Sequence, residues 1–217
     1  MPKVVLVRHG KTRWNEEGRY QGKVDVPLSA EGAEQARKVG LALKHLPVKA
    51  VYSSPLSRCV ETAKEIARHH SLEVVQVEEL KEINHGEWEG MLAKEVESKY
   101  PELLRLWKEK PAVVKMPGEG GESLQDVYER VTRALKEILS KHSEDELVVV
   151  VSHDATNKVA MCHFLGVDLN KFWAFKQANC GITVVEYSPK TGRVIVHVAN
   201  ATSHLGVEID FEVQKAL

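Results

Sequence analysis

Three clusters in the 217-residue chain carry side chains able to act on an anion: Arg8-His9-Gly10, Ser53-Ser54-Pro55 with Arg58 beyond it, and Ser152-His153-Asp154. Each follows directly on a short Val-rich run, Val4 to Val7, Ala50 to Tyr52 and Leu147 to Val151. Runs of that kind are expected of strands covered on both faces of a parallel sheet. In an open α/β sheet the ligand lies at the carboxyl ends of the strands, so the pattern predicts that Arg8, His9, Arg58 and His153 meet at one edge. Two guanidinium forks, two imidazoles and the N-terminus of a helix beginning at Pro55 are suited to a phosphate group. Gly118, Gly120 and Gly121 are not followed by Lys, which excludes a nucleotide-type P-loop.

The elements that must position these residues are legible as alternating periods. Ala33, Ala36, Gly40 and Leu43 recur at helical spacing, as do Leu56, Val60, Ala63 and Ala67. Leu124, Val127, Tyr128, Val131, Leu135, Ile138 and Leu139 form a third stripe, with Ser123 and Asp126 placed as a capping box at its start. Ile182 to Tyr187 and Val194 to Val198 flank a Ser-Pro-Lys-Thr-Gly turn and predict a terminal hairpin on the sheet edge. Met91 to Gly121 mixes Trp107 and several Leu with Pro101, Pro111 and Pro117, and reads as a helical lid inserted over the sheet. The expected fold is α/β: a three-layer sandwich with a mostly parallel central sheet, helices on both faces and a small inserted lid (91–121), in one domain over 1–217.

Composition excludes several classes of partner. Lys plus Arg number 30 against 31 for Asp plus Glu, a net charge of −1, which argues against a nucleic-acid binder. Cys59, Cys162 and Cys180 are few, scattered and without a CxxC pair, as expected in a reducing cytoplasm. No apolar run approaches the roughly 20 residues needed to cross a bilayer, and only four apolar residues precede Arg8, so neither a membrane span nor a leader is expected. The sequence does not fix the oligomeric state; a homodimer is compatible with it.

The run Leu6-Val7-Arg8-His9-Gly10-Lys11-Thr12-Arg13-Trp14-Asn15 resembles the signature of the histidine phosphatase superfamily in its phosphoglycerate-mutase-like branch. The likeness continues through Tyr20-Gln21-Gly22, Asp25-Val26-Pro27-Leu28-Ser29, Ser53-Ser54-Pro55-Leu56-Ser57-Arg58, Glu82 with Gly86-Glu87-Trp88-Glu89-Gly90, Gly121-Glu122-Ser123 and Val151-Ser152-His153. The resemblance implies that His9 is a nucleophile that becomes phosphohistidine, with Arg8, Arg58 and His153 around the phosphoryl group. It further implies Glu82 as proton donor and Asn15, Gln21 and Gly22 as substrate contacts. No metal or other cofactor is then expected: the transition state of phosphoryl transfer spreads charge over the equatorial oxygens, and fixed positive groups can stabilise it. Asp154 departs from the family, where Gly is common, and is expected to turn outward or cap the following helix.

Within the superfamily, Ile83-Asn84-His85-Gly86-Glu87-Trp88 resembles the phosphatases rather than the mutases. His85, Gly166-Val167-Asp168-Leu169-Asn170-Lys171-Phe172-Trp173 and His204-Leu205-Gly206 resemble the metal-independent phosphoserine phosphatases. The implied substrate is a small phosphomonoester, L-phosphoserine, with His85 and His204 reaching its amino-acid end. A cofactor-dependent phosphoglycerate mutase and an alpha-ribazole or sugar-phosphate phosphatase are the alternatives. A metallohydrolase using His9, His85, His153, Asp154 and His204 lacks an HExxH helix and would place its cation beside arginines. A binding module without turnover would leave every catalytic position of the family filled for no purpose.

Overall fold

In the computed structural model, which describes residues 1–206, six strands lie side by side: β1 (Lys3–Arg8), β2 (Val48–Ser53), β3 (Val74–Gln76), β4 (Leu147–Ser152), β5 (Ile182–Tyr187) and β6 (Val194–Ala201). Their order is β3-β2-β4-β1-β5-β6. The first four are parallel, β5 runs antiparallel to β1, and β6 completes the hairpin at the edge. The strand β3 was not expected. It is three residues long and half exposed at the opposite edge, so it lacks the apolar run that marks a buried strand.

The helices are α1 (Arg13–Glu17), α2 (Ala30–Leu43), α3 (Ser57–Ala67), α4 (Ala93–Lys99), α5 (Pro101–Glu109), α6 (Leu124–Ser140) and α7 (Asp154–Leu165). Side chains alternate across a strand. Val4, Leu6, Val148 and Val150 therefore enter one core with Val131 and Leu135 of α6 and Val159 of α7. Val5, Val7, Val149 and Val151 enter the other with Val39 of α2 and Ala63 and Ile66 of α3. Each fully buried Val or Leu contributes about 1.5–3 kcal/mol, which is why β1 and β4 occupy the centre of the sheet. Segment 91–121 packs Val96, Leu104, Trp107, Val114 and Met116 into the same core as α6 and α7. It is thereby anchored on the sheet. The capping box is present: Asp126 N donates to Ser123 Oγ and Ser123 N to Asp126 Oδ2. No helix of the described residues is long and apolar enough to cross a membrane.

The register brings the chemical residues to one level. Val7 pairs with Val151 and Arg8 with Ser152, and His9 N donates to the Ser152 carbonyl at 3.0 Å. The chain after His9 then lies against the first turn of α2. A Cβ added at Gly10 would stand 2.4 Å from the Gly32 carbonyl oxygen, and one at Gly32 would stand 1.9 Å from that of Lys11. Backbone meets backbone here, so neither position can give.

Gly32→Ala is accordingly expected to destabilise by about 1–3 kcal/mol, the usual range for overpacking, lowering Tm by several degrees. Leu41→Ala, at a half-exposed position of the same helix, should change stability by less than about 0.5 kcal/mol. Thermal denaturation checks the pair; equal Tm values would contradict the close approach.

Candidate active site

His9 leaves the end of β1 and is 3% exposed. Its Nδ1 lies 2.7 Å from the Gly10 carbonyl oxygen. A carbonyl only accepts, so Nδ1 carries the hydrogen and Nε2 keeps its lone pair. Burial, then the charges of Arg58 and Arg8, hold the imidazole well below its ordinary pKa and therefore neutral. Asn179 Nδ2 and Cys180 N both donate to the His9 carbonyl and fix the backbone behind the ring.

The arginines are locked at one side and open at the other. Arg58, buried in the first turn of α3, donates from Nη1 to Val24 O and from Nη2 to Gly22 O, both at 2.8 Å. Arg8 donates from Nη1 to Gln177 O at 2.7 Å. Arg8 Nε and Arg58 Nε are buried without a hydrogen-bond partner among the described residues, an arrangement that an anion would complete. Gly22 has φ +54°, and a Cβ there would overlap the Glu89 carboxylate, so this carbonyl is available to Arg58 only from glycine. His153, at the N-cap of α7, stands edge-on to His9 with ring centroids 5.2 Å apart. Its Nε2 is 2.8 Å from Ser54 Oγ. Ser152 Oγ donates to the Leu80 carbonyl at 2.7 Å, away from His153. Asn15 commits Oδ1 to Thr12 N, leaving Nδ2 as its donor toward the cavity, and Gln21 is held by Thr12 Oγ1 at 2.8 Å.

Glu82 enters from the loop after a short 3-10 turn, Glu78–Leu80. Its carboxylate accepts from Ala155 N and Thr156 N at the start of α7, each at 3.2 Å. Burial, then the nearby charge of Asp154, nevertheless raise its pKa above the ordinary carboxyl value, against the lowering effect of those hydrogen bonds. A support invisible in the sequence fixes this loop. Arg130 of α6 donates to the carbonyls of Glu79, Lys81 and Glu82, and is held by both oxygens of Glu122. Its stripe position between apolar residues gives no sign of that role.

Arg8, His9, Asn15, Gln21, Gly22, Arg58, Glu82 and His85 open onto one cavity. His85 is buried, stacked on Trp88 and edge-on to Tyr20, with Nδ1 lacking a hydrogen-bond partner among the described residues. Burial lowers its pKa to about 4, so the ring is neutral rather than an imidazolium. Trp107 of α5 and Phe172 and Trp173, from a 3-10 segment, close the apolar side of the cavity. Two expectations need correction. Asp154 does not turn outward: it is the first residue of α7, 5% exposed, and lines the cavity because Lys158 Nζ, 2.8 Å away, holds it inward. His204 is not in the cavity lining: it packs toward α2 and donates from Nε2 to the Cys180 carbonyl at 3.0 Å. Among the described residues no group of three or more His, Cys, Asp and Glu side chains is arranged to hold a metal ion.

Comparison with known proteins gives the same frame. Residues 4–200 match the family described as the histidine phosphatase superfamily (branch 1). The chain is 43% identical to phosphoserine phosphatase 1 of Hydrogenobacter thermophilus over 217 residues, covering 100% of both chains. It is 40% identical over 153 residues to the metal-independent phosphoserine phosphatase of Arabidopsis thaliana, covering 69% of this chain and 63% of that protein. The fold superposes on the phosphoserine phosphatase of Entamoeba histolytica in complex with 3-phosphoglyceric acid with a TM-score of 0.80, at 30% identity, covering 94% of this chain and 100% of that one.

A raised pKa means that Glu82 keeps its proton to a higher pH than an ordinary carboxyl and loses it as pH rises through that value. Titration of ¹³C-labelled carboxyl groups by NMR is expected to place the Glu82 midpoint above those of the surface glutamates. A midpoint among or below them would contradict the burial argument.

Proposed function

The chain belongs to the histidine phosphatase superfamily, and on that premise we propose that it hydrolyses a small phosphomonoester, L-phosphoserine, through a phosphohistidine formed at His9. The observation that carries the chemistry is the neutral His9 imidazole, its Nε2 lone pair retained beside two buried guanidinium groups. The substrate assignment is supported by the full-length likeness to a phosphoserine phosphatase and by His85, a buried imidazole in the cavity wall whose Nδ1 has no hydrogen-bond partner among the described residues.

In this reading the phosphate oxygens enter between Arg8, Arg58 and Asn15, with His153, outside the cavity lining, packed edge-on against His9. His9 Nε2 attacks phosphorus, the P–O bond to the serine oxygen breaks, and Glu82 delivers its proton to the departing alkoxide. Water then attacks the phosphohistidine, the Glu82 carboxylate takes a proton from it, and the P–N bond breaks to release phosphate. The division of labour follows from the electrostatics. Arginine charges stabilise the equatorial oxygens and keep the nucleophile unprotonated. Burial raises the pKa of the acid, which favours the protonated form that delivers the proton. His85 donates an N–H to the substrate carboxylate, a charge-assisted bond of about 1.5–3 kcal/mol. A mutase would use the same phosphohistidine but return the phosphoryl group to a second hydroxyl.

Three measurements bear on this. Rapid quenching during turnover is expected to trap an acid-labile, base-stable phosphoryl label on His9 that His9→Ala abolishes. An unlabelled enzyme would overturn the intermediate. Glu82→Gln should lose far more activity on phosphoserine than on para-nitrophenyl phosphate, whose leaving group needs no proton, and Arg130→Met should show the same bias in weaker form. Equal losses would make Glu82 a structural residue. Activity should persist in EDTA, and L-phosphoserine should be hydrolysed faster than 3-phosphoglycerate, with little mutase turnover when 2,3-bisphosphoglycerate is supplied; metal-dependent recovery would favour a metallohydrolase.

A further inference from the structure

Two carboxylates line the cavity, and the phosphoryl chemistry uses only Glu82. Asp154 stands in the same wall, where a negative charge opposes a phosphate. Its placement is nevertheless built in. Lys158, one turn along α7, reaches Asp154 Oδ2 at 2.8 Å, and Arg8 Nη1 lies 3.7 Å from Oδ1. Lys158 is itself 1% exposed, its ammonium 4.4 Å from the centroid of Trp173 and 5.0 Å from that of Phe172. Both rings line the cavity, so the lysine is clamped by part of the wall it supports.

A buried ion pair of this kind is not a stabilising device. Desolvation of the two charges offsets most of their attraction, and an apolar pair of similar volume would stabilise as well or better. What the pair provides is a carboxylate with one oxygen fixed by Lys158 and held at the edge of an arginine-lined anion site. The group it complements is a cation attached to an anionic substrate.

We propose that Asp154 receives the substrate's ammonium group, with Lys158 as the positioning residue that holds the carboxylate toward the cavity. The inference rests on the phosphoserine reading and supplies what that reading lacks, a group that distinguishes an α-amino acid phosphate from an α-hydroxy acid phosphate of similar size. Phosphate is taken by the arginines, carboxylate by His85 and ammonium by Asp154. A hydroxy acid brings no cation to Asp154 and only adds its own negative charge beside the carboxylate, so discrimination comes from attraction to one substrate and repulsion of the other.

The test compares kcat/KM for L-phosphoserine, for 3-(phosphonooxy)propanoate, which lacks only the amino group, and for phosphoethanolamine, which lacks only the carboxylate. Wild type is set against Asp154→Asn and against Asp154→Asn/Lys158→Met. The double variant removes the lysine charge that the single one would leave buried and unpaired. The ratio of phosphoserine to its desamino analogue is expected to fall by about tenfold or more in both variants, the size of one charge-assisted hydrogen bond, with phosphoethanolamine following phosphoserine. Equal losses on all three substrates would leave the ratio unchanged and overturn the ammonium role, placing Asp154 instead with the groups that act on the phosphoryl step. So would a double variant that regains the wild-type ratio. A wild-type enzyme indifferent to the amino group would overturn the phosphoserine reading itself, an outcome distinct from preference without dependence on Asp154.

Discussion

The site depends on keeping two buried guanidinium groups charged and incompletely paired beside an imidazole that must stay neutral. Among the described residues no carboxylate forms an ion pair with Arg58; its fork ends on the carbonyls of Gly22 and Val24, which orient the charge without cancelling it. Arg8 is held in the same manner by Gln177, with Asp154 only at 3.7 Å. Carbonyl partners satisfy the N–H groups that burial would otherwise leave costly, while the positive charge remains for an anion to complete. The same charges make protonation of His9 unfavourable, so the neutral imidazole and the anion cradle follow from one electrostatic arrangement.

Much of the remaining architecture serves that arrangement. Parallel pairing of β1 with β4 in unshifted register delivers His9 and His153 together, and β2 beside β4 brings the start of α3, with Arg58, to the same edge. The glycine contact between the loop after His9 and α2 fixes the backbone that carries the Nδ1 acceptor. Glu82 arrives on a loop with no strand of its own, so its position is set by side chains: Arg130 donates to the carbonyls of Glu79, Lys81 and Glu82, and Thr156 Oγ1 donates to that of Lys81. Glu82 is therefore coupled to α6 and α7, and His9 to the sheet.

What the sequence disclosed and what it withheld divide along physical lines. Arg8, His9, Arg58 and His153 were legible because each follows or adjoins a buried Val-rich strand, and a parallel sheet has only one edge at which such ends can gather. The three-layer arrangement was legible for the same reason. The strand β3 was not, since three half-exposed residues carry no period. Asp154 was misplaced because its orientation is decided by Lys158, and a lysine at helical spacing from an aspartate usually signals an exposed pair, whereas this one is sealed by Phe172 and Trp173. His204 was assigned to the substrate by resemblance, but its imidazole is engaged by a backbone carbonyl on the far side of the nucleophile loop. Arg130 left no trace in the pattern, because a charged residue beside an apolar stripe looks the same whether it faces solvent or ties down a loop; Glu122 was legible only through its place in the Gly121-Glu122-Ser123 likeness, which says nothing of its hold on Arg130.

The central claim is the state of His9 before substrate arrives. ¹⁵N NMR of histidine-labelled protein, with His9→Gln for assignment, reads that state directly. The expected result is a neutral ring with hydrogen on Nδ1 and a bare Nε2, unchanged as pH falls through the ordinary imidazole range of about 6.5. An imidazolium signal appearing near that value, or a neutral ring protonated on Nε2, would contradict it.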